Sequence, residues 1–189
     1  GATSKRPISA ASAPANDDGP FAAKDIALVL KIAAATSYVF SPLPSIEREA
    51  ATLKEAIGWP RPGEPVLGMH IRRGDASMSD VGSGMIPNSR RTSFPLSAYL
   101  AAADSVCKGA GIRTIYIATE SADDIRRART ELRGYTLLTL DHDRTLFPII
   151  DQERSIDKVA LANPARARAL AKSAILDLCL FRDCSAFVG

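Results

Sequence analysis

Pro65-Val66-Leu67-Gly68-Met69-His70-Ile71-Arg72-Arg73-Gly74-Asp75 is the stretch on which the fold turns. Up to Ile71 it is short and mostly apolar, bounded by Pro and Gly before it and by charge after it. An apolar run without strict alternation reads as a strand buried on both faces, the environment of a parallel sheet. The sequence downstream repeats the pattern. Leu96, Tyr99, Leu100, Ala103, Val106 and Cys107 recur at helical spacing and stop near Gly109 and Gly111. Residues 113–118 read as a second buried strand. Ser121 is placed to cap a helix with Ile125, Ala128 and Leu132 on one face, and Gly134 to stop it. Residues 135–140 read as a third strand, 165–181 as an apolar-faced helix, and 184–188 as the start of a fourth strand. Strands alternating with helices imply βαβ units. The fold class is therefore α/β, a Rossmann-like parallel sheet with helices on both faces.

Upstream, residues 1–20 are rich in Ser, Ala and Pro without apolar periodicity, and read as a flexible tail or linker. Residues 21–64 read as a helical lead-in. Ile26, Val29, Leu30, Ala33 and Ala34 keep helical spacing until Pro42 and Pro44 interrupt it. A second helix fits 45–58, with Ser45 as cap, Glu47 and Glu49 at its positive end, and Gly58 as terminator. Residues 65–189 then form the Rossmann-like domain, expected to be a fragment, incomplete at its C-terminal side.

Composition narrows the function classes. Of 189 residues, 46% are hydrophobic, too many for a largely disordered chain, and a net charge of +3 is too small for a dedicated nucleic-acid binder. No stretch approaches the ~20 apolar residues of a membrane span. Cys107, Cys179 and Cys184 are an odd set without CxxC spacing, read first as buried free thiols, with the pairing of Cys179 and Cys184 left open.

In parallel α/β sheets the ligand sits beyond the carboxyl ends of the strands. Those ends carry residues 70–75, 119–121 and 140–143. Two adjacent arginines at a strand end point in roughly opposite directions, so one can face the crevice while the other pairs with a carboxylate such as Asp75. A guanidinium presents a planar fork of donors matched to phosphate oxygens, so the site suits a diphosphate. The ordinary alternative is a solvated, salt-bridged loop.

The segment from Gly68 to Asp75 resembles the HxRRxD signature of fucosyltransferases, and its flanks are most similar to the α1,6-fucosyltransferase and Nod-factor fucosyltransferase family. The likeness extends over roughly residues 40–189. It takes in Pro95, Tyr99, the block Tyr116-Ile117-Ala118-Thr119-Glu120-Ser121, and Ser173-Ala174-Ile175-Leu176-Asp177-Leu178. The resemblance implies the donor-binding half of a GT-B-type glycosyltransferase. That family inverts the anomeric carbon, needs no metal or other cofactor, and uses GDP-fucose as donor. By the same resemblance Arg72 binds the diphosphate, with Arg73 supporting it or sharing the task. His70 and Asp177 match the guanine-reading positions, and Asp75 orients the arginines. Glu120 falls at a donor-site carboxylate, and Asp80 at an acidic residue proposed to take the acceptor's proton, as an inverting transfer requires. The implied partners are a nucleotide sugar and a glycan or protein acceptor. The compartment stays unknown, with the Golgi lumen or secretory pathway implied only for a eukaryotic source.

Three departures from the family pattern stand out. Ala76 follows the motif where Lys is frequent, Ser121 occupies a position that is usually Asp, and a Ser-rich turn expected after residue 189 is absent from the sequence. A non-catalytic nucleotide-binding or interaction module is therefore the second expectation. Asp141-His142-Asp143 has DxD form but reads mostly as a polar loop. The arginine-rich helix at 126–133 interleaves with acidic residues and reads as a solvated face. A dinucleotide-dependent oxidoreductase lacks its GxGxxG.

Overall fold

The computed structural model describes residues 41–73, 94–146 and 161–189. The expected tail over 1–20, the helix through Ile26 and Ala34, and the loop with Asp75, Ala76 and Asp80 lie outside the described residues. From Pro42 onward the described residues belong to one compact unit.

Four parallel strands form one sheet: β1 (Val66–Ile71), β2 (Thr114–Thr119), β3 (Thr136–Leu138) and β4 (Ala186–Val188), in the order β3-β2-β1-β4. Among the described residues the α-helices are α1 (Pro44–Ala56), α2 (Leu96–Ala110), α3 (Ala122–Glu131) and α4 (Pro164–Phe181). The α/β class and the parallel sheet expected from the sequence are thus present. Register sets the faces. Gly68 pairs with Tyr116 and Phe187, and His70 with Ala118, so these residues share one face. Leu67, Met69, Ile71, Ile115 and Ile117 project from the other. They form the main core with Leu96, Tyr99, Leu100, Ala103 and Cys107 of α2 and Ala128 of α3.

The opposite face is aromatic. Phe181 at the end of α4 meets Tyr116 at 5.4 Å, Phe187 at 5.2 Å and His70 at 6.1 Å between ring centroids, while Trp59 lies 5.5 Å from Tyr116. Gly68 makes this approach possible, because a Cβ there would stand 2.8 Å from the Phe181 ring and 3.1 Å from Cys184 Sγ. α1 is fastened to α4 and its C-terminal extension by charge: Arg182 donates to both Glu47 oxygens at 2.7 and 2.9 Å, Lys172 meets Glu49 at 2.7 Å, and Lys54 pairs with Asp183.

The boundaries differ from expectation in informative places. Ser45 does not cap α1. Leu43 is the N-cap and Pro44 opens the helix, its fixed φ suited to that position and its missing N–H costing nothing there. The end is as expected, with Gly58 and Trp59 N–H groups returning to the Glu55 and Lys54 carbonyls. Ser121 does cap α3, accepting from the Asp124 N–H at 3.1 Å. β3 and β4 are shorter than the patterns at 135–140 and 184–188, at three residues each. Among the described residues both are edge strands, with one neighbour each to extend their ladders. The three cysteines are free thiols, with Cys107 and Cys179 buried.

Candidate functional site at the carboxyl end of β1

The chain leaves β1, builds β2 and β3 on one side, and returns to place β4 on the other. That reversal puts the topological switch point at the carboxyl ends of β1 and β4, the position where open α/β sheets bind ligands. His70 and Arg72 lie at this end of β1, and both keep part of their surface in solvent. His70 packs edge-on against Phe181. Partial burial of the ring against Phe181 lowers the imidazole below its ordinary value. Glu120 opposes that shift and Arg72 adds to it, so the ring is neutral at pH 7.

Arg73 is half-buried and held by the fold. Its Nε meets Asp124 Oδ2 at 2.6 Å, its Nη1 donates to the Phe94 carbonyl at 2.6 Å, and its guanidinium lies 5.8 Å from the Tyr99 ring centroid. Asp124 is only 7% exposed and sits in the first turn of α3. Arg73 is thus the half-buried arginine of the two, with Asp124 as its partner, while Arg72 is exposed. The backbone N–H of Arg73 donates to Glu120 Oε1, which ties the loop after β1 to the loop after β2.

Asp177 approaches from α4, one helical turn before Phe181. Its carboxylate accepts a hydrogen bond from the hydroxyl of Tyr116, which is fully buried in the middle of β2. Burial raises Asp177 to about 6, against the lowering effects of the Tyr116 hydrogen bond and the Arg144 charge. The same burial and the adjacent carboxylate keep the Tyr116 phenol protonated far above its usual range. Asp177 is thus largely ionised at pH 7 and close to its titration point.

Arg144 completes this end of the sheet. Its guanidinium donates to the Leu140 carbonyl at 2.8 Å, Thr139 Oγ1 at 3.0 Å and the Thr119 carbonyl at 3.2 Å, binding the exits of β2 and β3 together. In the DxD-like tripeptide, Asp143 Oδ1 accepts from the Thr145 backbone N–H and hydroxyl at 3.0 and 2.6 Å, a local turn. Among the described residues, no three His, Cys, Asp or Glu side chains converge as a metal-holding group.

Of the candidate residues, the fold brings His70, Arg72 and Arg73 to one strand end, Glu120 to the neighbouring end, and Asp177 onto the covering helix. Asp75 and Asp80 lie outside the described residues. Sequence reading missed Tyr116 and Arg144. Tyr116 reads as one more core residue of an apolar strand. Its one signal is a hydroxyl that needs a partner once buried. Arg144 offers no signal, since its acceptors are carbonyls gathered by the fold.

No family model matches the chain, and no curated protein matches it. No helix among the described residues is long and apolar enough to cross a membrane.

Proposed function

We propose that this chain is the donor-binding part of an inverting, metal-independent glycosyltransferase that moves fucose from GDP-fucose to a glycan or protein acceptor. The observation that carries the reading is the arrangement at the sheet's switch point. An exposed arginine follows β1, a neutral histidine precedes it on the strand, and a carboxylate on α4 is bonded to Tyr116 on the same face of the sheet as that histidine. Each suits one part of the donor. Arg72 neutralises the diphosphate as the leaving group gains charge, and a preorganised cation at that point lowers the barrier. Asp177, ionised at pH 7, accepts from the two adjacent N–H groups of guanine, and neutral His70 donates to an acceptor on the base. Arg73 and Glu120 hold the loop that presents Arg72. The HxRRxD resemblance supplies the choice of GDP-fucose and the base, Asp80. The acceptor hydroxyl oxygen attacks the anomeric carbon, its proton passes to Asp80, and the bond from that carbon to the diphosphate breaks with its electron pair leaving on GDP.

A second reading is a nucleotide-binding module without transfer. It is favoured by Ser121, which acts as the α3 cap at a position where the family pattern has a carboxylate. Calorimetric titration with GDP, GDP-fucose, UDP and ADP, with Arg72→Ala as control, tests both. GDP-selective binding weakened roughly 10–150-fold in the variant, the worth of a lost charge-assisted bond, supports the donor site. Transfer or slow hydrolysis of GDP-fucose, abolished by Asp80→Asn, then separates the enzyme from the module. A folded sample that binds no nucleotide overturns both readings.

A further inference from the structure

Tyr116 is fully buried, and the donor-site reading gives its hydroxyl no contact with a nucleotide. Its ring is locked between Trp59 and Phe181, 5.5 and 5.4 Å away, and its residue is fully buried. The hydroxyl therefore has a fixed position, and it spends its hydrogen on Asp177 Oδ1. An ionised carboxylate oxygen accepts about two hydrogen bonds, so this bond leaves capacity on both oxygens while fixing the plane of the group. A base offering two parallel N–H donors is sensitive to that plane. We infer that Tyr116 is a positioning residue for base selectivity: it orients Asp177 toward a purine bearing both a ring N–H and an adjacent amino group, without touching the nucleotide. The inference rests on the donor-site reading.

The surrounding charges support the assignment. Arg144, beyond β3, favours the ionised form of Asp177, but its donors are committed to the Leu140, Thr139 and Thr119 oxygens. The Cys184 thiol, ahead of β4, lies near Tyr116, and burial keeps it protonated. His70, on β1, is held neutral. Within this set Tyr116 is the group that hydrogen-bonds Asp177 and cannot itself ionise near neutral pH. Removing the hydroxyl takes away one influence that lowers the Asp177 pKa, so binding in Tyr116→Phe should fail at a higher pH than in the wild type.

The test uses the full chain and two measurements. The first follows the Asp177 carboxyl carbon by NMR through a pH titration without nucleotide, in wild type and Tyr116→Phe. The second measures GDP and inosine diphosphate affinities from pH 5.5 to 8 in both proteins and in Asp177→Asn. Inosine diphosphate keeps the ring N–H and lacks the amino group. The expected result has three parts. Tyr116→Phe raises the Asp177 midpoint. It weakens GDP binding at pH 6.5 roughly tenfold, the scale of one hydrogen bond. It also brings the GDP-to-inosine-diphosphate ratio toward that of Asp177→Asn. An unchanged midpoint, or an unchanged ratio in a folded Tyr116→Phe, overturns the inference while leaving the donor site standing. Wild type that binds neither nucleotide overturns the donor reading and the inference together. Should Tyr116→Phe not fold, Asp177→Asn decides: an intact GDP preference there overturns the inference.

Discussion

Asp177→Asn is the perturbation whose consequence follows most directly from the geometry. The carboxylate is largely buried against Tyr116, and burial is the dominant influence that lifts it from the ordinary Asp value of 3.8 to about 6. The folded chain therefore holds a proton between pH 4 and 6 that the unfolded chain has lost. Stability from this group is full below the unfolded value and is lost as pH rises through about 6. At 1.36 kcal/mol per pH unit, the gap corresponds to about 3 kcal/mol of opposition to folding at pH 7. Asparagine keeps the acceptor oxygen for the Tyr116 hydroxyl and carries no charge. The variant should match wild type near pH 4 and exceed it by up to about 3 kcal/mol at pH 7, with the difference growing mainly between pH 4 and 6.5. Urea denaturation of both proteins at half-unit pH intervals measures it. Comparing the two removes the opposite trend from Glu47, Asp104 and Asp143, whose lowered pKa values add stability as pH rises. A difference that is flat with pH, or a variant less stable at pH 7 than at pH 4 relative to wild type, would refute the argument.

Other consequences can be checked on the same protein. Arg73→Ala leaves Asp124 buried without its ion-pair partner and should cost about 3 kcal/mol in urea unfolding, whereas a loss below ~1 kcal/mol would mean the pair is solvent-screened. Gly68→Ala drives a methyl group into the Phe181 ring and should destabilise by about 1–3 kcal/mol, read as a lowered urea midpoint with unchanged slope. Burial pushes the Cys184 thiol up to about 12 and raises Cys107 and Cys179, so the native chain at pH 8 should react with a thiol reagent orders of magnitude more slowly than the unfolded chain. Rapid labelling of native protein would contradict the burial.

How much of this was legible beforehand depends on the range of the interaction. The apolar runs at 66–71 and 114–119 announce buried strands, because an element's periodicity is written in consecutive residues. The cap at Ser121 is equally local, its acceptor and donor three residues apart. Ser45 shows the limit even there: Pro44, with φ already suited to a helix, took the first position from a better capping side chain. The end strands were over-read because an apolar pattern at 135–140 or 184–188 states what a strand could bury, whereas its length depends on how far a neighbour follows it.

The sequence alone determined the alternation of strand and helix, the parallel sheet, and the arrival of His70, Arg72 and Arg73 at one strand end. All of these follow from short-range pattern and from chain connectivity. Tertiary structure decided the rest. The order β3-β2-β1-β4, and with it the switch point beside Arg72, is a matter of which strands pair. The choice of Arg73 as the inward arginine rests on Asp124, 51 residues away. The orientation and ionisation of Asp177 rest on Tyr116, 61 residues away. A carboxylate's charge and direction are set by the solvent it loses and the donor it meets, and both exist only once the sheet and its covering helix have packed.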